Sequence, residues 1–409
     1  MKRFTLIVAA VILIAAVAGI TGIFAPDEAV PAVVFSPLPT AAATPEVSPP
    51  PLLLAPPPAP SPKPTPTPPV TIIVAGDVLT GERIGPKIEA GKYDEVLDEA
   101  SAERFRAADI AVINLETSVS DRGEPVPNKQ YTFCSPPENL AFLRDYLGID
   151  AAGLANNHTR DYGDDALLDT FENVREYGIT PFGAGENLEA AAEPYIAEVN
   201  GKTIAFFAAN QIVPTASWLA LENRAGQLSW YEPSHLDLLK ENIKTARETC
   251  DYIIVYMHWG IERDLTPNNL QEFTAHYLID IGVDVVIGAH PHVIQNFEYY
   301  HGKPIIYSLG NFIFNNRNPE TAFAEITIED GNVTVKLIPC KMSGTKTYAV
   351  EESEARALLV KWDANSVNAT LDNDGYLKPA DRPKKIPEEE EVVPTEDVVP
   401  VEDVVSVEE

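Results

Sequence analysis

The central part of this chain is predicted to be a layered α/β domain with a mixed sheet. Three observations predict it: short apolar runs of strand length recur from Thr71 onward, amphipathic helical patterns fall between them, and a turn-type break near the end joins two runs without a helix.

The strands expected are Thr71–Ala75, Ile110–Ile113, Ala151–Leu154, Thr203–Ala208, Tyr252–Met257, Val283–Ile287 and Pro304–Ser308. Each is a nearly continuous apolar run, as strands covered on both faces require. The helices expected between them are Glu138–Leu147, Asp165–Tyr177, Ser234–Thr249 and Asn269–Ile281. Strands alternating with helices imply parallel pairing in part of the sheet. Near the end, Ala322–Ile328 and Val333–Pro339 flank Asp330-Gly331-Asn332, which reads as an antiparallel hairpin.

The ends of the 409-residue chain have a different composition. Lys2 and Arg3 precede an uncharged apolar run, Phe4 to Phe24, which reaches the roughly 20 residues that span a bilayer. Residues 1–24 are therefore expected to be a signal anchor, a single-pass segment with the basic residues inside and the remainder extracytoplasmic; cleavage would make the protein secreted. Residues 25–69 hold 17 of the 36 prolines, a composition that favours extended polyproline conformations and a spacer. Residues 70–365 form the expected globular domain. Residues 366–409 are expected to be a disordered tail, with ten acidic and no basic residues from Glu388 to Glu409.

A net charge of −31 excludes a broadly basic nucleic-acid-binding face, and no nucleic acid is expected as a partner. The three cysteines, Cys134, Cys250 and Cys340, lack metal-binding spacing and are too few for a disulfide framework.

In open α/β sheets ligands bind beyond the carboxyl ends of strands. The residues there are uniform in type: Asp77, then Asn114 and Glu116, then Asn156, Asn157 and His158, then His258, then His290 and His292. Imidazole and carboxylate together suit zinc, manganese, iron or nickel, and a carboxylate set between two ions offsets their repulsion. Taken singly, each residue has a plainer explanation: a turn cap, a satisfied loop carboxamide, a hydrogen-bonded histidine. Their concentration at five strand exits is what points to a metal pocket. His235, His276 and His301 fall in helical or loop contexts and are read as structural.

Six ordered blocks carry a resemblance: GDV at Asp77, NLET at Asn114–Thr117, LANNHTRDYG at Leu154–Gly163, HWGIE at His258–Glu262, GAHPHV at Gly288–Val293 and YSLGNF at Tyr307–Phe312. The sequence resembles the CapA family of capsule or poly-γ-glutamate synthesis proteins, which share the calcineurin-like metallophosphoesterase fold. The resemblance implies a four-layer αββα sandwich with mixed sheets. It implies Asp77 and His292 on one metal, Glu116 as the bridge, and Asn157, His258 and His290 on the other, the ions being manganese, iron or zinc. It also implies that His158 is the leaving-group acid. Asp161 is its candidate partner carboxylate by proximity, and equally a candidate helix cap. Arg83, Arg160 and Arg263 lie beside motifs and are candidates to receive an anion in a bidentate manner. The implied partners are the membrane and a polyanionic cell-envelope polymer or its synthesis and export proteins.

The sequence departs from the family in three places. Leu79 stands where a second ligand of the first motif would be, Glu116 replaces an aspartate, and Phe133-Cys134-Ser135-Pro136 lacks an arginine. The pattern leaves two functions open: metal-assisted hydrolysis of a phosphoester or related bond, amides of a γ-linked polymer included, or a non-catalytic accessory subunit with a degenerate structural metal site.

Overall fold

Each apolar run expected as a strand forms one, and what covers its two faces explains why the runs are continuous. The computed structural model describes residues 67–314 and 319–384. Along the chain the strands are β1 (Val70–Val78), β2 (Ile110–Leu115), β3 (Ala151–Gly153), β4 (Thr180–Phe182), β5 (Tyr195–Val199), β6 (Lys202–Asn210), β7 (Tyr252–His258), β8 (Val285–Ala289), β9 (Phe297–Tyr300), β10 (Lys303–Ile306), β11 (Asn311–Ile313), β12 (Glu320–Glu329), β13 (Asn332–Ser343), β14 (Lys346–Ala349), β15 (Ala369–Leu371) and β16 (Tyr376–Pro379). The main helices are α1 (Glu99–Ala107), α2 (Gly163–Glu176), α3 (Pro233–Thr249), α4 (Asn269–Asp280) and α5 (Glu352–Asp363).

Two large sheets result. One has ten strands in the order β15-β16-β13-β12-β1-β2-β3-β4, with β11 added beside β1 and β14 beside β13. The other has six, in the order β9-β10-β8-β7-β6-β5. Pairing is parallel from β1 through β4 and from β6 through β8 to β10, and antiparallel at the flanks. Both sheets are therefore mixed. The β12–β13 hairpin turns on Asp330 and Gly331, both at positive φ (48° and 82°), the geometry of a two-residue hairpin turn.

Side-chain alternation along β1 and β7 builds the layers. Ile72, Val74 and Val112 face inward and meet Phe206, Ile254, Tyr256 and Ile287 of the second sheet. On the outer face of the first sheet, Ile73, Ala75 and Ile113 pack against Phe105, Phe142, Leu167 and Phe171. On the outer face of the second, Phe207, Val255 and Val286 pack against Leu239, Ile243 and Leu278. Helices, sheet, sheet and helices make the expected αββα sandwich, in which each buried large apolar side chain contributes about 1.5–3 kcal/mol.

Two expectations need correction. The helix expected over Glu138–Leu147 is a 3₁₀ turn, Pro137–Asn139, followed by a π turn, Phe142–Tyr146. Pro136 and Pro137 set the entry, and the Asn139 side chain donates to the Thr80 carbonyl at 2.8 Å, which holds that turn against the end of β1. The acidic tail does not begin at residue 366, because β15 and β16 join the ten-stranded sheet, with Leu377 opposite Val335. Leu371 and Leu377 are buried in the core between the sheets. That hairpin is too short to show a period in the sequence. Residues 1–24, most of the spacer and the acidic run from Glu388 lie outside the described residues. Among the described residues, no helix is long and apolar enough to cross a membrane.

Candidate metal centre

The carboxyl ends of the central strands of both sheets lie at one edge of the sandwich. Asp77 ends β1, Glu116 follows β2, Asn157 follows β3, His258 ends β7, and His290 and His292 follow β8. The register between β1 and β2 shifts between Val74 and Asp77. The Tyr256 hydroxyl, reaching across from β7, donates to the carbonyls of Ala75 (3.0 Å) and Val112 (3.3 Å), which ties the two sheets together directly beneath the site. A β-carbon on Gly76 would stand 1.9 Å from the Gly310 carbonyl oxygen, so only glycine lets β11 approach. That approach brings Asn311 to the site.

Asp77 is fully buried. Its Oδ1 accepts from Asn114 Nδ2 at 2.8 Å, and its Oδ2 accepts from the His290 amide at 3.3 Å and lies 3.0 Å from His292 Nδ1. Burial opposes its ionisation, but the hydrogen bond and charge of His292 hold the carboxyl below the ordinary range. His292 is raised in turn: burial works against its charge, and Asp77 outweighs it. His258 and His290 are the reverse case. Burial and neighbouring imidazoles push both down, His290 to about 3, so both are neutral and able to ligate a cation.

Glu116 carries the strongest sign of a missing partner. Both of its oxygens are sealed from solvent without a hydrogen bond, and the nearest imidazole nitrogens, those of His158 and His258, stand 3.7 and 3.8 Å away. His290 Nδ1 is likewise unsatisfied. A buried acceptor left without a donor costs about 1–3 kcal/mol, more when charged. A cation held between these groups removes that cost, so the residues fit a metal.

Two groups of potential ligands share Glu116. Glu116, His290 and His292 bring ligand atoms within 4.8 Å of one another, and so do Asp77, Glu116 and His258. Asn157 joins the second group, since its Oδ1 lies 2.7 Å from His258 Nε2. Glu116 thus stands where a bridging ligand would. In this grouping His258 stands with Asp77 and His290 with His292, while Asp77 Oδ2 is also 3.0 Å from His292 Nδ1, the pair that the resemblance sets on one metal. His290 and His292 both take positive φ (93° and 58°), a strained backbone for residues other than glycine.

His158 is buried with its Nδ1 2.5 Å from Asp161 Oδ2. The same carboxylate accepts from the Phe133 amide at 2.7 Å and from Lys129 Nζ at 2.5 Å. Asp161 makes no cap: α2 begins after Tyr162 with no side-chain capping bond. Burial lowers the His158 pKa, and Asp161 only partly restores it. Lys129, whose Nζ is also 2.9 Å from His158 Nδ1, is lowered by burial against the pull of Asp161. It had no signal in the sequence, being a loop lysine with no motif around it. Asn114 and Asn311 lay within recognised motifs without an assigned role. The first donates to Asp77, and the second places Oδ1 2.7 Å from His292 Nδ1.

The three arginines separate. Arg263 lines a cleft of about 1010 Å³ that also exposes His158 and His292, and its amide donates to the Pro291 carbonyl at 2.8 Å. Arg160 is engaged elsewhere, with Asp164 (2.5 Å) and Ser217 (3.2 Å), and Arg83 is exposed outside the lining of the cleft. Leu79, at the expected place of a ligand, packs with Phe314, Met342 and Phe133. An apolar cluster fills that corner. Cys134, Cys250 and Cys340 form no disulfide.

Residues 71–316 match a family model described as "Bacterial capsule synthesis protein PGA_cap". The chain is 27% identical to the capsule biosynthesis protein CapA of Bacillus anthracis over 75% of this chain and 73% of that one. It is 31% identical to the PGA biosynthesis protein CapA of Bacillus subtilis (strain 168), over 58% of this chain and 64% of that one. It is similar in structure to Haemophilus influenzae NAD nucleotidase, with a TM-score of 0.41 at 11% identity, over 67% of this chain and 56% of that one.

Proposed function

The chain belongs to the PGA_cap family of bacterial capsule synthesis proteins, and on that premise we propose that it is a membrane-anchored extracytoplasmic protein of capsule or poly-γ-glutamate biosynthesis. In this reading its sandwich carries a metal-dependent hydrolase site for a phosphoester or related bond. The observation that carries the hydrolase reading is the buried Glu116 carboxylate, unsatisfied and common to two sets of ligands. Asp77, Glu116, Asn157, His258, His290 and His292 would hold manganese, iron or zinc ions. Such ions, when bound, polarise a phosphoryl oxygen and make water nucleophilic near neutral pH.

The chain's own groups supply the remainder. Asp161 and the face of Phe133, whose ring lies 4.3 Å from that of His158 between centroids, fix the imidazole with Nε2 toward the ligand cluster. As water adds to phosphorus and the ester P–O bond breaks, the departing oxygen takes the Nε2 proton of the imidazolium form of His158, and the proton shed by the incoming water restores that form. Arg263, which lines the cleft, would receive an anionic oxygen. Residues 1–24 would be the anchor and residues 25–69 the spacer that carries the domain away from the bilayer. The partners would be the envelope polymer or the proteins that make and export it.

A second reading, a non-catalytic accessory subunit, is favoured by Leu79, whose apolar cluster leaves the first motif one ligand short. One experiment separates the two. The full-length chain is purified, its metal content measured, and turnover followed on phosphomonoesters, phosphodiesters and γ-glutamyl amides. The hydrolase reading expects about two ions per chain and turnover, with His158→Asn lowering kcat by roughly 10²–10⁴-fold at unchanged metal content. Bound metal with no turnover on any substrate leaves the accessory role.

A further inference from the structure

The walls of the cleft that adjoins the metal centre say what kind of molecule it takes. The two imidazoles that open onto it each border an aromatic ring: His158 lies against Phe133, and the centroid of His292 is 5.1 Å from that of Phe314. The two phenyl rings meet edge-on at 5.5 Å, with Leu79 and Met342 packed in the same cluster. Tyr131, 58% exposed, and Trp362 extend this lining. Three carboxylates, Glu82, Glu262 and Glu320, also line the cleft. Among the described residues its basic side chains apart from the two imidazoles are Arg263 and Lys361, and Lys361 Nζ is already 2.8 Å from both oxygens of Glu320.

We propose that the ligand of this cleft is a phosphoester of a flat, uncharged ring, held by its phosphoryl group at the metal centre and by its ring on Phe133 and Phe314, and not the acidic polymer itself. The proposal rests on the phosphoester reading above and narrows its substrate class. A γ-linked glutamate chain carries a carboxylate on every residue, so each residue laid along the cleft sets another negative charge beside Glu82 or Glu262. Among the described residues, with Lys361 and Glu320 satisfying each other, Arg263 does not offset that. A phosphoester keeps its charge at one end, where the ligand cluster and Arg263 stand. Its other end is then free to bury apolar surface on the phenyl rings.

The test uses the full-length, manganese-loaded chain and three probes, the non-hydrolysable phenylphosphonate and methylphosphonate and a γ-glutamate decamer, each titrated by calorimetry. Phenylphosphonate is expected to bind roughly tenfold tighter than methylphosphonate, and the decamer more weakly than either. Phe314→Leu should cut the phenyl-to-methyl ratio at least about threefold. Tyr131→Ala, at an exposed position where folding is not at stake, should cut it in the same direction. Equal affinity for the two phosphonates, or tighter binding of the decamer, overturns this proposal and leaves the hydrolase reading standing. Failure of the metal-loaded chain to bind either phosphonate overturns both.

Discussion

Replacing Glu116 by glutamine should stabilise the metal-free protein and abolish the stability it gains from metal. Burial and the Asp77 carboxylate push the Glu116 pKa well above its ordinary value of 4.5. The folded chain therefore keeps a proton that the unfolded chain releases as pH rises through that value. Since the folded state binds more protons in this window, stability is fully present below about pH 4.5 and falls by about 1.4 kcal/mol per pH unit up to the raised folded value. Asp77 has the opposite sign. Its folded pKa lies below its unfolded value, so its contribution is present near neutrality and is lost only in acid.

The contribution of Glu116 thus falls above pH 4.5 while the depressed His258 and His290 act in the opposite direction below their unfolded value of 6.5, so it is read as the difference between the wild-type chain and a neutral glutamine variant. At roughly 2–4 °C per kcal/mol, two pH units within the window should separate the metal-free melting temperatures by about 5 °C or more. Manganese at a hundredfold excess over its Kd should stabilise the wild-type chain by about 2.7 kcal/mol and the variant by far less. Thermal melts of chelator-treated chain at pH 5.5, 6.5 and 7.5, with and without manganese, provide the assay. Parallel melting curves for the two metal-free proteins, or equal manganese shifts, would refute the claim that Glu116 is an unsatisfied bridging ligand.

Asp161→Asn removes the buried carboxylate shared by Lys129, His158 and the Phe133 amide, leaving a half-buried ammonium without its counter-ion. Urea denaturation should show a loss of about 3–5 kcal/mol, and turnover should fall with metal content unchanged. Tyr256→Phe takes the hydroxyl donor from the Ala75 and Val112 carbonyls, and urea denaturation should show a cost of about 1–3 kcal/mol. Gly76→Ala forces a β-carbon into the Gly310 carbonyl, so β11 must move away and take Asn311 with it. The measured result should be reduced metal binding in whatever folded protein remains, and unchanged binding would rule out that coupling.

Much of the site was readable before the fold because the residues that carry it sit where apolar runs stop. Asp77, Glu116, Asn157, His258, His290 and His292 lie at the ends of β1, β2, β3, β7 and β8, and strand ends are visible as a change from aliphatic to polar chemistry. Lys129 has no such marker. It reaches His158 and Asp161 from a loop 29 and 32 residues away, and only the folded path of that loop brings them together. Arg83, Arg160 and Arg263 were equivalent by proximity to motifs, and the structure separates them, since Arg160 is engaged with Asp164 and Ser217 while Arg263 lines the cleft. The β15–β16 hairpin escaped notice because three residues of alternation do not differ from a polar tail until β13 pairs with them.

Local patterns were enough to establish the layered α/β class, the order in which ligand types succeed one another along the strands, and the likeness to the capsule-synthesis family. All three depend on which residues are apolar, at what period they recur, and which polar residue ends each run. The tertiary structure decided which candidate ligands come within reach of one another, since Glu116 groups with Asp77 and His258 on one side and with His290 and His292 on the other. It also decided that Leu79 closes an apolar corner and that Asp161 serves His158 and not a helix end. These are contacts between segments brought together by folding, and their distances are set by how two sheets and their loops pack, a quantity no local pattern contains.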